Sequence, residues 1–158
     1  MTYRRFQPDD AATIASWVRT PAELSLLDPV AKFPLTAEQV VSWAAHRTRA
    51  IVFSGVTGVS GYCELQASRA ERGKNVWVCR EIVQPEYRGW GYGRAWAGIA
   101  MRIAETELGA DVISAWIAPQ NARSIAVAQR LGLRIVRTDR VRGRYFLRLE
   151  KVCNENEA

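Results

Sequence analysis

An apolar strand that runs into a proline and then into alternating glycines leaves a chain few ways to fold. Here the stretch is Ile82-Val83-Gln84-Pro85-Glu86-Tyr87-Arg88-Gly89-Trp90-Gly91-Tyr92-Gly93, and a helical pattern follows it. Glycine adopts backbone conformations that other residues resist and lets a ligand come close to the main chain. The first N–H groups of the helix have no intrahelical acceptor, and the helix dipole favours an anion beside them. The stretch reads as a phosphate grip.

The bulk properties narrow what such a grip serves. At 158 residues the chain has the size of one domain. We expect that domain to span residues 1–153, with the polar run 154–158 as a frayed tail. The formal net charge of +6 suits an anionic partner. The three cysteines, Cys63, Cys79 and Cys153, are odd in number and lack metal-ligand spacing. We therefore expect no metal and a reducing, cytoplasmic setting. The only histidine, His46, reads as a surface residue beside Arg47. The opening residues lack a signal-peptide core, and no apolar run is long enough to span a bilayer.

Along the chain, Tyr3 to Gln7 reads as a strand, and Pro8-Asp9 opens a helix carrying Ile14, Trp17 and Val18. Glu23 to Leu27 forms a second short helix. Thr36-Ala37-Glu38-Gln39 fits a capping box ahead of Val40, Val41, Trp43 and Ala44. Ala50 to Phe53 and Val59 to Leu65 read as paired strands, and Ser68 to Asn75 as a solvated loop. Val76 to Val83 is a long strand, and Gly91 to Leu108 a helix ended by Gly109. A strand over Val112 to Ile117 and a helix over Ala122 to Leu131 follow. Ile135 to Thr138 and Tyr145 to Leu149 close the chain as a strand pair. The fold class is α/β of the α+β type.

A P-loop needs Gly-Lys followed by Ser or Thr, whereas Gly93 is followed by Arg94 and Ala95. A dinucleotide fingerprint needs a third glycine that Gly91-Tyr92-Gly93-Arg94-Ala95-Trp96 lacks. What remains, Arg88-Gly89-Trp90-Gly91-Tyr92-Gly93 after a strand and a proline, resembles the acetyl-CoA motif of the GNAT superfamily of N-acetyltransferases. Downstream, Asn121-Ala122-Arg123-Ser124-Ile125 leads through a short helix to Leu131-Gly132-Leu133. That pair of elements resembles the second landmark of the family, with Leu133 in place of its usual Phe. The resemblance implies a mixed, mostly antiparallel sheet, helices on both faces, and two central strands that splay apart.

It also implies roles. The cofactor would be acetyl-CoA, its diphosphate on the N–H groups from Arg88 to Gly93, with Arg88 and Arg94 adding charge. Ile82 and Val83 would pair with the pantetheine arm, and Asn121 and Ser124 would line it on the other side. The reaction would be acetyl transfer to an amine, which must first lose a proton. Glu81 and Glu64, carboxylates in apolar strand runs, are the candidate bases, each with a salt-bridged surface role as the alternative. Many family members carry a tyrosine as general acid at the position of Ala128. Ser124 or Tyr145 are the candidate substitutes. The acceptor amine would lie near Trp17, Leu26, Phe33 and Tyr145.

Two other functions stay open. One is a CoA-binding sensor without chemistry, motivated by Ala128. The other is a nucleic-acid binder, suggested by Arg134, Arg137, Arg140, Arg142, Arg144 and Arg148, although these equally form an exposed basic hairpin face. A nucleic-acid partner is disfavoured, no membrane partner is expected, and a homodimer stays open.

Overall fold

The computed structural model describes residues 2–153. The tail expected at 154–158 lies outside the described residues. Seven strands form one sheet in the order β1-β2-β3-β4-β5-β7-β6. They are β1 (Thr2–Arg5), β2 (Arg49–Gly55), β3 (Gly58–Ala70), β4 (Gly73–Val83), β5 (Val112–Ile117), β6 (Arg134–Val141) and β7 (Arg144–Val152). Neighbours run antiparallel except β4 and β5, which run parallel. The helices are α1 (Ala11–Ser16), α2 (Pro21–Leu27), α3 (Ala37–Ala45), α4 (Tyr92–Thr106) and α5 (Ala122–Arg130).

The two faces of the sheet carry separate cores. Ile14, Trp17, Leu24 and Val40 from the early helices pack on Val52, Tyr62 and Ile82. Trp96, Ala100, Ile103 and Ala128 from α4 and α5 pack on Phe53, Leu65, Val76 and Ile113. The period-2 alternation of the central strands thus sends successive residues into different cores. The capping box ahead of α3 forms as expected: Gln39 N–H donates to Thr36 Oγ1 and Thr36 N–H to Gln39 Oε1.

One expectation fails. Residues 68–75 are not a loop but the end of the β3–β4 hairpin, with Ser68 paired to Asn75 and Ala70 to Gly73. Residues 68–74 are exposed at the hairpin tip, so their side chains report solvent rather than chain path, whereas Asn75 is buried and accepts from Ser114 Oγ at 2.9 Å. Gly73 has φ +102°, and Lys74 N–H donates to the Asp111 carboxylate at 2.7 Å.

The parallel pair sets up the site. β4 and β5 pair only through Asn75–Val112, Val76–Ile113 and Trp77–Ser114. Beyond Trp77 the two strands part, while β5 keeps pairing with β7 as far as Ile117 and Leu147. The β5-facing edge of β4 is therefore open over its last residues, as the resemblance implied.

Gly61 lies under α4, and a Cβ there would fall inside the Trp96 indole. Trp96 is itself fully buried and stacks on Phe53 at 5.3 Å. Gly61→Ala should therefore cost about 1–3 kcal/mol by overpacking. Urea unfolding checks this; an unchanged midpoint would contradict the packing described.

Candidate active site

The chain leaves β4 through a tight turn. Gln84 N–H donates to the Ser60 carbonyl, and a 3-10 turn at Pro85–Tyr87 redirects the backbone. Gly89 and Gly91 then take φ +84° and +86°, left-handed values that a side chain makes costly. Gly91 caps α4 without a side chain to offer, and no acidic residue stands in the first turn of the helix. From Gly89 to Arg94 no N–H group finds an acceptor among the described residues. Trp90 is 80 % exposed, and the glycines beside it are exposed too, so nothing from the turn itself plugs it. The Arg88 N–H is spent on the Pro85 carbonyl at 3.2 Å, so the donor run starts one residue later than the sequence suggests.

Arg88 also differs from expectation in its side chain. Its guanidinium folds back, donating to the Val83 carbonyl at 2.9 Å and the Trp17 carbonyl at 3.0 Å. It also faces Glu23 at 3.4 Å. It is a clamp that ties the turn to the end of β4 and to the segment before α2, and it is not presented to an anion. Arg94 is exposed and makes no ion pair among the described residues. With Gly91, Gly98, Arg102 and Leu131 it lines a cavity of about 370 Å³. Arg123, which sequence reasoning passed over, reaches the turn from α5: a Cβ on Gly89 would lie 3.6 Å from its Nη2.

Along the open edge, Ile82 is buried among the early helices and Val83 packs toward α4. At the fork, Trp77 of β4 and Trp116 of β5 lean together with centroids 4.2 Å apart. Arg148 lies over Trp77 at 4.8 Å, and Trp116 Nε1 donates to Asp139. No local pattern singles out this pair, because the two rings come from strands distant in the chain and meet only where those strands part.

The two candidate bases occupy opposite faces. Glu64 is fully buried and shares the face of Tyr62 and the early helices. It accepts from Arg47 Nε at 2.7 Å, Arg80 Nη1 at 2.8 Å and Tyr62 Oη at 2.8 Å. Arg80 extends the network to Asp28 at 3.0 Å and lies over the Trp43 ring. Glu64 thus takes up the salt-bridged alternative, with its oxygens occupied. Removing one partner would strand buried charge. Arg80 stands at φ +38°, where the β3–β4 register shifts between Tyr62 and Glu64.

Glu81 points the other way. Its Oε1 would lie 3.1 Å from a Cβ on Gly93, so the carboxyl sits under the first turn of α4. It has no hydrogen bond or ion pair among the described residues. As a residue it is partly exposed, but burial of the carboxyl pushes its pKa up to about 8.

Asn121 caps α5, its Oδ1 accepting from Ser124 N–H at 3.3 Å. That fixes where α5 starts and leaves Ser124 partly exposed in its first turn. Ala128 is buried in the core under α4. Tyr145 is 63 % exposed, and Arg140, its partner across the β6–β7 pair, lies over its ring at 5.8 Å. Trp17 is core, whereas Leu26 and Phe33 are exposed. Among the hairpin arginines, Arg137 and Arg148 pair with Asp139 and Glu150, while Arg134, Arg140, Arg142 and Arg144 are exposed.

A sheet that opens between two parallel strands, beside a glycine turn with unpartnered N–H groups, is the architecture that the resemblance to the GNAT superfamily implies. Comparisons agree with this. The model of the acetyltransferase (GNAT) domain matches residues 1–134, and the chain belongs to that family of acetyl-CoA-dependent N-acetyltransferases. Its fold is that of a ribosomal-protein-S5-alanine acetyltransferase from Vibrio fischeri, with TM-score 0.76 at 19 % identity over 97 % of this chain and 93 % of that one. A Salmonella typhimurium protein, yncA, solved with its cofactor acetyl-CoA, superposes with TM-score 0.71 at 21 % identity, covering 99 % and 96 %. A spermidine N-acetyltransferase variant from Vibrio cholerae gives 0.72 at 16 % identity, covering 96 % and 95 %. No curated protein sequence matches the chain significantly.

The state of Glu81 has a consequence for stability. An unfolded glutamate loses its proton near its ordinary 4.5, but the folded carboxyl holds it to about 8. Between these values the folded state binds more protons, so stability should fall as pH rises from about 4.5 to about 8 and then level. Glu81→Gln should flatten that slope in denaturant midpoints taken at pH 5, 7 and 9. A variant with the wild-type slope would mean that Glu81 titrates normally.

Proposed function

We propose that this chain binds acetyl-CoA with its diphosphate on the N–H groups of Gly89 to Arg94 and passes the acetyl group to an amine. The acceptor is an amine on a small molecule or at a protein N-terminus. The observation that carries the reading is the run of unpartnered N–H groups opening directly beside the free edge of β4. The pantetheine arm would take the place of a strand along that edge, pairing with the backbone of Ile82 and Val83. A backbone N–H there would meet the thioester oxygen, where negative charge grows in the tetrahedral transition state.

Glu81 is the proton acceptor in this reading, directly or through one water. Its support is that it is a basic carboxylate with both oxygens free on the segment of β4 that leaves β5, whereas Glu64 is occupied. The departing thiolate needs little help, because a thiol has a pKa of about 8.5. Ser124 or water can return its proton despite Ala128. The free thiols of Cys63, Cys79 and Cys153 fit work in a reducing cytoplasm. Ala128 favours a second reading, a CoA sensor that performs no transfer; thiol release from acetyl-CoA with a panel of amines separates the two.

Gly91→Val places a branched side chain at φ +86°. It should abolish CoA binding in calorimetry while circular dichroism stays native, and retained affinity would count against the grip. Glu81→Gln should remove the rise in kcat/KM toward pH 8, so that its deficit is greatest where the wild-type carboxylate is ionised. A loss that is the same at every pH would assign Glu81 a purely structural part.

A further inference from the structure

Three sources of positive potential meet beside Gly89, and no acidic group pairs with them among the described residues. The first is the start of α4, with its unpartnered N–H groups and no acidic residue in its first turn. The second is the start of α5, which also lacks an acidic residue in its first turn. The third is the Arg123 guanidinium, which lies against the turn, its Nη2 3.6 Å from where a Cβ on Gly89 would be. A cation in the first turn of a helix opposes the helix dipole, and here it also faces a second helix start. Arg123 makes no hydrogen bond or ion pair among the described residues. Glu86, the carboxylate of the turn segment, is paired with Arg19 at 3.2 Å. The three repel one another, and a multiply charged anion between the two helices would offset that repulsion.

We infer that Arg123 is a side-chain cation of the diphosphate site, closing on the anion from α5 while the N–H groups of Gly89 to Arg94 hold it from α4. The position is preset. The Asn121 cap fixes the first residue of α5, and so the point from which the Arg123 side chain extends. Arg88, the arginine of the glycine motif, is committed to Val83, Trp17 and Glu23. The charge that its motif position would supply comes instead from a residue 35 positions later in the chain.

The assignment rests on the acetyl-CoA reading above, and the test separates the two. CoA and acetyl-pantetheine, which lacks phosphates, are titrated calorimetrically into the wild type, Arg123→Gln, Arg123→Lys and Arg130→Gln. Arg130 is exposed in the last turn of α5, so its variant removes the same net charge away from the turn. Arg123→Gln should weaken CoA binding by about ten- to a hundredfold, the span of one charge-assisted hydrogen bond. It should also flatten the salt dependence of binding and leave acetyl-pantetheine binding unchanged. Arg123→Lys should recover part of the loss, and Arg130→Gln should behave as wild type. In turnover, KM for acetyl-CoA should rise while kcat at saturation holds. Wild-type CoA affinity in Arg123→Gln would overturn the assignment alone, as would an equal loss for acetyl-pantetheine, which would mark a structural effect. A wild type that binds no CoA would overturn the acetyl-CoA reading and this assignment with it.

Discussion

β4 stops pairing with β5 after Trp77, and much of the structure serves to keep that edge open. A parallel strand pair closed along its length would satisfy its own N–H and C=O groups and leave nothing for a ligand. Here β5 is drawn toward β7, which it follows through Leu147. β4 is held from the other side by β3, to which it pairs from Gly73 to Val83. The Trp77 and Trp116 rings fill the fork, and α4 packs across β3 and β4 through Trp96. The strands are thus pulled apart by good pairing elsewhere, and the cost of the unpaired edge is offset when a ligand takes up its backbone groups.

Charge is partitioned to match. On the face of the early helices, Glu64, Arg47, Arg80 and Asp28 neutralise one another in a buried network with Tyr62 and Trp43. Low dielectric makes that network rigid when complete and costly when broken. On the α4 face, Glu81 is left without a partner and burial raises its pKa. At the turn, the N–H groups of Gly89 to Arg94 and the Arg123 guanidinium have no acceptor or ion-pair partner among the described residues. The paired charges belong to the core under the early helices, whereas the Glu81 carboxyl and the N–H groups of the turn have no partner among the described residues.

The turn, the helix after it, the capping box of α3 and the glycine stops at Gly109 and Gly132 were legible because each is a local rule written in neighbouring residues. The polar run 68–75 misled because a two-sided exposed hairpin has the composition of a loop. Arg88 misled because a motif gives the position of a residue, not its rotamer; only the fold brings Val83, Trp17 and Glu23 within its reach. Arg80 stood in plain sight as a charge inside Val76-Trp77-Val78-Cys79-Arg80-Glu81-Ile82-Val83, and a cation in a central strand signals a buried carboxylate opposite. Arg123, Trp77 and Trp116 had no such signal, since their meaning depends on strands and helices distant in sequence.

The account turns on main-chain donors at one turn, and amide-resolved NMR reads those donors directly. In a titration of the isotopically labelled protein with CoA, the N–H resonances of Gly89 to Arg94 should shift together and saturably, with the amides of Ile82 and Val83. Those of the β6–β7 hairpin should stay in place. Shifts concentrated on the hairpin arginines, with the turn unmoved, would show an anion held by surface charge and contradict the site described.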